Sequence, residues 1–202
     1  MTVRKRLRGA VTAAVATALM VVASGAEAVA AEWRPRPGMV YLSDMPKDGT
    51  TWYGNPAERG WRYPTCGRSW SVPEVNVWSR GVSTSETASG LQNTLVFETD
   101  AEAIAFAAQA RQAYAECPAT FDESPDTIET GYDYGTVDVE EGATVQGLRV
   151  TYTFSNSYHN HLFGVGRDGD TVTLIEWESN WSDPPVDYFK NTTVRNVVNR
   201  LH

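Results

Sequence analysis

The stretch His161-Leu162-Phe163-Gly164-Val165-Gly166-Arg167-Asp168-Gly169-Asp170-Thr171-Val172-Thr173-Leu174-Ile175-Glu176-Trp177 decides the fold class. Two runs rich in β-branched and aromatic residues, His161–Arg167 and Asp170–Trp177, flank Asp168-Gly169, a dipeptide suited to a two-residue hairpin turn. With that turn, cross-strand partners carry numbers summing to 337 in the sequence, so Val165 meets Val172 and Phe163 meets Leu174. Continued outward, His161 faces Glu176 and His159 faces Glu178, placing two His–carboxylate pairs on one sheet face. The opposite face gathers Gly164 and Gly166, whose missing side chains leave room for a helix or a ligand.

Around this hairpin the other elements are legible. Thr144–Phe154 alternates apolar and polar residues and reads as a strand, with Val150, Tyr152 and Phe154 on one face. Asn93–Glu98 is strand-like and leads into Thr99-Asp100-Ala101-Glu102, the spelling of a capping box. The helix that follows ends near Cys117-Pro118; Ala101, Ile104, Ala105, Ala108 and Ala115 form its expected packing face, while Glu102, Gln109, Arg111 and Glu116 are solvated. Asp183-Pro184-Pro185 opens a terminal helix with Asp183 as N-cap, and Val186, Phe189, Val194, Val197, Val198 and Leu201 recur on one side of it. These elements predict an α+β domain, with a central antiparallel sheet flanked by two main helices.

Composition narrows the setting. The chain has 202 residues, 17 Lys and Arg against 25 Asp and Glu, and a formal charge of −8. Arg4, Lys5, Arg6 and Arg8 precede an apolar run from Ala10 to Ala23 and a small-residue ending with cleavage positions after Ala28, Ala30 or Ala31, the pattern of a secretory signal peptide over residues 1–31. A single domain, 32–202, follows. Removing four of the 17 cations and one of the 25 acids leaves 13 against 24, a formal −11. Scattered cations in such a chain disfavour nucleic acid and anionic membrane surfaces. After signal removal no segment remains to span a membrane, so the expected location is extracellular.

Cys66 and Cys117 are the only cysteines. In an oxidising compartment an even count reads as one disulfide, with a pair of buried thiols as the rival, and two cysteines supply only half of a tetrahedral metal shell. Trp33, Trp52, Trp61, Trp70 and Trp78 stud a Pro- and Gly-rich segment and read as core filler, with a sugar-stacking surface as the sharper option. Eight acids and no Lys or Arg lie between Phe121 and Glu141; their spacing is not that of a calcium loop, so they read as a solvated acidic surface.

His159, His161, Glu176 and Glu178 are the candidate ligand-binding residues, since a His beside a carboxylate can move a proton, sense pH or join a metal site. Glu176 and Glu178 also resemble the carboxylate spacing of a glycosidase. The sequence holds no nucleophile elbow, zinc-protease helix, phosphate loop or dinucleotide fingerprint, and it calls for no cofactor, metal or catalytic residue.

Met39-Val40-Tyr41-Leu42, the Trp-flanked Cys66, Leu95-Val96-Phe97-Glu98, the Ala-rich helix ending in Glu116-Cys117-Pro118, and Phe163-Gly164-Val165-Gly166-Arg167-Asp168-Gly169-Asp170-Thr171-Val172 together resemble the PknH-type extracellular sensor domains of actinobacteria. The resemblance implies a sensor-like α+β domain with a ligand-binding cleft and no catalysis. The chain departs from that family in having one possible disulfide instead of two, no kinase domain and no transmembrane segment after the signal. The expected function is thus a secreted, non-catalytic binding domain for an extracellular small molecule, glycan or envelope protein. A secreted hydrolase using Glu176, Glu178 or His161, and an acidic protein-interaction or inhibitor module, are the alternatives.

Overall fold

A computed structural model describes residues 37–47, 49–66, 70–71, 74–121, 126–155, 157–180 and 182–202. The proposed signal peptide, Trp33, Asp122 and Glu123 lie outside the described residues. The strands are β1 (Trp52–Gly54), β2 (Glu58–Arg59), β3 (Asn76–Thr84), β4 (Ala88–Val96), β5 (Thr127–Val137), β6 (Ala143–Tyr152), β7 (Ser157–Asp168) and β8 (Thr171–Asn180). They form one antiparallel sheet in the order β1-β3-β4-β8-β7-β6-β5, with β2 also paired to β3. Between β4 and β5 runs helix α1 (Asp100–Thr120), which carries the chain across the sheet face to its far edge.

The capping box forms as the sequence spells it. Thr99 Oγ1 accepts from the Glu102 backbone N–H at 3.3 Å, and the Glu102 carboxylate accepts from the Thr99 N–H at 3.1 Å. The helix runs three residues beyond Cys117 and includes Pro118 in its last turn. Its buried face is Ala103, Phe106, Ala107, Ala110, Tyr114 and Cys117, and this corrects the expected one: Ala101, Ile104, Ala105, Ala108 and Ala115 are all exposed. The helix has alanine on nearly every side, so alanines do not orient it; the two large rings and the bridged cysteine do.

The hairpin register also differs from the expected one. Asp168 stays in the ladder opposite Thr171, so Gly169-Asp170 are the turn residues and every pairing slides by two. Gly169 has φ +53°, a value that suits glycine at the first turn position. Glu141, from the β5–β6 turn, accepts from the Gly169 N–H at 2.8 Å and pairs with Arg167, holding the tip in this frame. A slide of two keeps each residue on its predicted face, whereas a slide of one would have reversed it. His161 therefore stands opposite Glu178, and His159 opposite Asn180, so neither of the two predicted His–Glu pairings forms.

The sheet is buried on both faces at its centre. On one face Leu148, Val150, Phe163, Val165, Val172 and Leu174 pack under α1. On the other, Val145, Leu162, Ile175 and Trp177 meet Phe189, Val194, Val197, Val198 and Leu201 from the C-terminal tail. That tail is helix α2 (Val186–Tyr188), a π-helical stretch Phe189–Val194 and helix α3 (Arg195–Val198). The five-residue gap between Phe189 and Val194 is what a π turn brings onto one face. Asp183 does not cap the tail, which starts after Pro185; it pairs instead with Arg149 at 3.2 Å.

Gly164 and Gly166 let the tail approach the sheet. A Cβ at Gly164 would lie 2.6 Å from Val194 Cγ2, and one at Gly166 only 2.2 Å from Val198 Cγ2. Gly166→Ala will accordingly destabilise the fold by about 1–3 kcal/mol through overpacking. Adding Val198→Ala should recover part of that loss in a denaturant titration, and strictly additive losses would show that the two sites do not touch.

The Cys66–Cys117 bridge is present, with a Cα–Cα separation of 5.4 Å, and it ties the end of α1 to the segment after β2. Among the described residues, Trp52 and Trp177 are buried and Trp61, Trp70 and Trp78 partly so. Trp52 is buried with its Nε1 donating to the Pro46 carbonyl at 2.8 Å, and Trp61 and Trp70 pack on the α1 side beside the bridge. No helix among the described residues is long and apolar enough to cross a membrane.

Candidate ligand-binding site

Glu176 is the polar residue in the apolar run of β8, and it points to the α1 side. It is 7% exposed. Tyr114 of α1 donates its hydroxyl to Glu176 Oε1 at 3.1 Å, and the Thr65 backbone N–H donates to Oε2 at 3.0 Å. Burial pushes its carboxyl up to about 7, against the pull of the hydrogen bonds from Thr65 and Tyr114, and the nearby Glu178 charge adds to the rise. The same burial, with Glu176 beside it, holds the Tyr114 hydroxyl well above its ordinary range.

Aromatic rings fix this cluster. Tyr114 stacks on Phe163 with centroids 4.6 Å apart and planes 7° from parallel, and Phe163 stands directly across the ladder from Glu176. His161 lies on the other side of Phe163 along β7, nearly parallel to it at 6.0 Å. Burial pushes the His161 imidazole down to about 4; Glu178 opposes the fall and His159 adds to it. His161 Nδ1 is 3.4 Å from Glu178 Oε2, while Glu178 Oε1 accepts from Ser89 Oγ at 2.6 Å. His159 sits further out, edge-on to Tyr152 at 5.3 Å.

All four candidate residues therefore share one sheet face, but they are not equivalent. His161 and Glu176 are interior, both oxygens of Glu176 are engaged, and His159 and Glu178 are partly exposed, the Glu178 side chain by 47%. A glycosidase pair needs two carboxyls flanking a substrate bond. Glu176, buried under Tyr114 and Thr65, is committed to the fold, so the arrangement does not supply that geometry. Among the described residues no group of three or more His, Cys, Asp and Glu is placed to hold a metal.

Ser89, which bonds Glu178, also lines a surface groove. This groove of about 720 Å³ runs over the β1, β3 and β4 end of the sheet, lined among others by Tyr53, Asn55, Arg62, Tyr63, Ser83 and Ser89. Tyr53 and Tyr63 are 57% and 66% exposed. The chain from Arg62 to Thr65 links the groove to Glu176, and Ser89 links it to Glu178. Buried Asn93 holds the Arg62 backbone from both sides: its Oδ1 accepts from the Arg62 N–H at 3.0 Å and its Nδ2 donates to the Arg62 carbonyl at 2.8 Å.

Sequence reasoning missed the groove, and with it Tyr53, Arg62, Tyr63 and Asn93. The available signals were Asn93 inside an apolar strand and the Arg-Tyr-Pro spelling just before Cys66, neither of which names a partner by itself. No family model, curated protein or solved structure matches the chain.

Proposed function

We propose that the chain is an exported, non-catalytic binding domain whose extracellular ligand sits in the groove lined by Tyr53, Arg62, Tyr63 and Ser89. The observation that carries this reading is the groove itself: two half-exposed tyrosine rings and several hydrogen-bonding side chains on a rigid sheet end, with Arg62 fixed by buried Asn93. Pockets of this size with a few convergent polar groups are the usual form of a small-ligand site. The disulfide fits an oxidising location, and the resemblance to PknH-type sensor domains supports a ligand-binding role.

Thermal unfolding of the oxidised protein against neutral and acidic oligosaccharides, peptidoglycan fragments and small metabolites tests this. A ligand that binds only the native state, at about 100 times its Kd, adds about 2.7 kcal/mol, a rise of about 5–10 °C for a domain of this size. Tyr63→Ala should abolish the rise without lowering the melting temperature of the free protein, because the ring is largely exposed. No rise with any probe, or a rise that Tyr63→Ala leaves intact, would overturn the assignment.

A further inference from the structure

We infer that the groove recognises a carboxylate-bearing glycan, with Arg62 gripping the sugar carboxylate and Tyr63 and Tyr53 stacking on the rings; this rests on the binding function proposed above. The charge around the groove is the first reason. Among the described residues that line the groove Arg62 is the cation and none is Asp or Glu; the carboxylates that reach this lining are Glu58, paired with Arg62, and Glu178, bonded to Ser89.

Arg62 is also positioned for the task. Its backbone is clamped by Asn93, which is 1% exposed, and its guanidinium lies against the sheet where Gly81 has no side chain. A Cβ on Gly81 would stand 2.5 Å from Arg62 Nη1. The planar guanidinium offers paired N–H donors matched to a carboxylate. Its present partner is Glu58 at 2.9 Å, with side chains 46% and 59% exposed, and an ion pair that wet is readily exchanged for a ligand carboxylate.

The rest of the lining suits sugar rings. Exposed tyrosine faces take the apolar face of a pyranose, and Ser83, Ser89 and Asn55 offer hydroxyl and amide groups to its hydroxyls. The groove is open to solvent, so a chain of sugar units can run through it.

The test is calorimetric titration with trigalacturonic acid and, separately, with its methyl ester, which keeps the rings and removes the charge. The acid should bind the wild-type protein at least tenfold more tightly than the ester and lose affinity with added salt. Arg62→Gln should weaken the acid at least tenfold and leave the ester unchanged. Gly81→Ala, which keeps Arg62 in the sequence, should also weaken the acid, since its Cβ would stand 2.5 Å from Arg62 Nη1 and displace the guanidinium. Equal affinity for acid and ester, or an acid affinity that Arg62→Gln does not alter, would overturn the carboxylate assignment while leaving a glycan groove in place. Failure of both probes to bind, with a hit from another class in the thermal panel that Tyr63→Ala removes, would overturn the glycan and keep the binding reading. Failure of both probes and of the whole panel would remove both.

Discussion

Replacing Cys66 and Cys117 together with Ser will lower the unfolding free energy by about 4 kcal/mol, the chain-entropy value for a closed loop of this length. The separation is 51 residues, so the bridge removes a large fraction of the freedom of the unfolded chain between β2 and the end of α1. Native packing around it is dense: Cys117 is 1% exposed, and Trp61 and Trp70 lie over the same cluster with their ring centroids 6.2 Å apart. Guanidinium unfolding of the double variant beside the oxidised protein measures the loss, and a loss under about 1 kcal/mol would mean that the bridge only decorates a core already complete without it. Arg62 is held by Asn93 and not by the disulfide, so the double variant below its melting point should still bind the groove's ligand.

The second large effect concerns pH. Glu176 has a folded pKa of about 7, above its ordinary 4.5. Its contribution to stability is fully present below pH 4.5 and is lost as pH rises through 7, a change of about 3 kcal/mol. His161 runs the other way, with a folded pKa of about 4 against an ordinary 6.5. Its contribution is present above pH 6.5 and is lost as pH falls through 4, by a similar amount. The two slopes largely cancel in the wild-type protein. Glu176→Gln removes one of them: relative to wild type it should gain about 3 kcal/mol between pH 4.5 and pH 8. Its own stability should then fall on acidification from pH 6.5 to 4, where the wild type stays nearly level. Denaturant midpoints across that range decide it; parallel curves for the two proteins would show that Glu176 titrates alike in the folded and unfolded chain and that burial does not raise its pKa.

Much of the architecture was legible because local signals agreed with the global fold. The capping box at Thr99 and Glu102 forms as spelled, the strand expected over Thr144–Phe154 forms as Ala143–Tyr152 and stops before Phe154, and of the two readings of the cysteines the disulfide is the one present. The hairpin was right in faces and wrong in register because Asp168-Gly169 and Gly169-Asp170 are both good turns, and the register adopted is the one in which Glu141, a residue from another turn, bonds Gly169 and pairs with Arg167. The α1 face was rotated because small residues surround the helix, and Phe106 and Tyr114 outweigh them in buried area. The tail was expected to be a regular helix, yet the five-residue step from Phe189 to Val194 already carried the π turn. The site divides the same way. The sheet face shared by His159, His161, Glu176 and Glu178 follows from period two alone, whereas their burial depends on Tyr114 and Thr65 arriving from distant segments. The groove depends on Gly81, Asn93 and Arg62, three residues whose meeting no local pattern encodes.

The most direct test of the account is amide-resolved NMR during titration with trigalacturonic acid. Binding at the groove predicts that the largest shifts cluster at residues 53–55, 62–65, 81–83 and 89–91, with smaller changes passing through Thr65 to Glu176 and through Ser89 to Glu178. Shifts centred instead on the exposed face of α1 or on β5, with residues 62–65 and 81–83 unmoved, would contradict it.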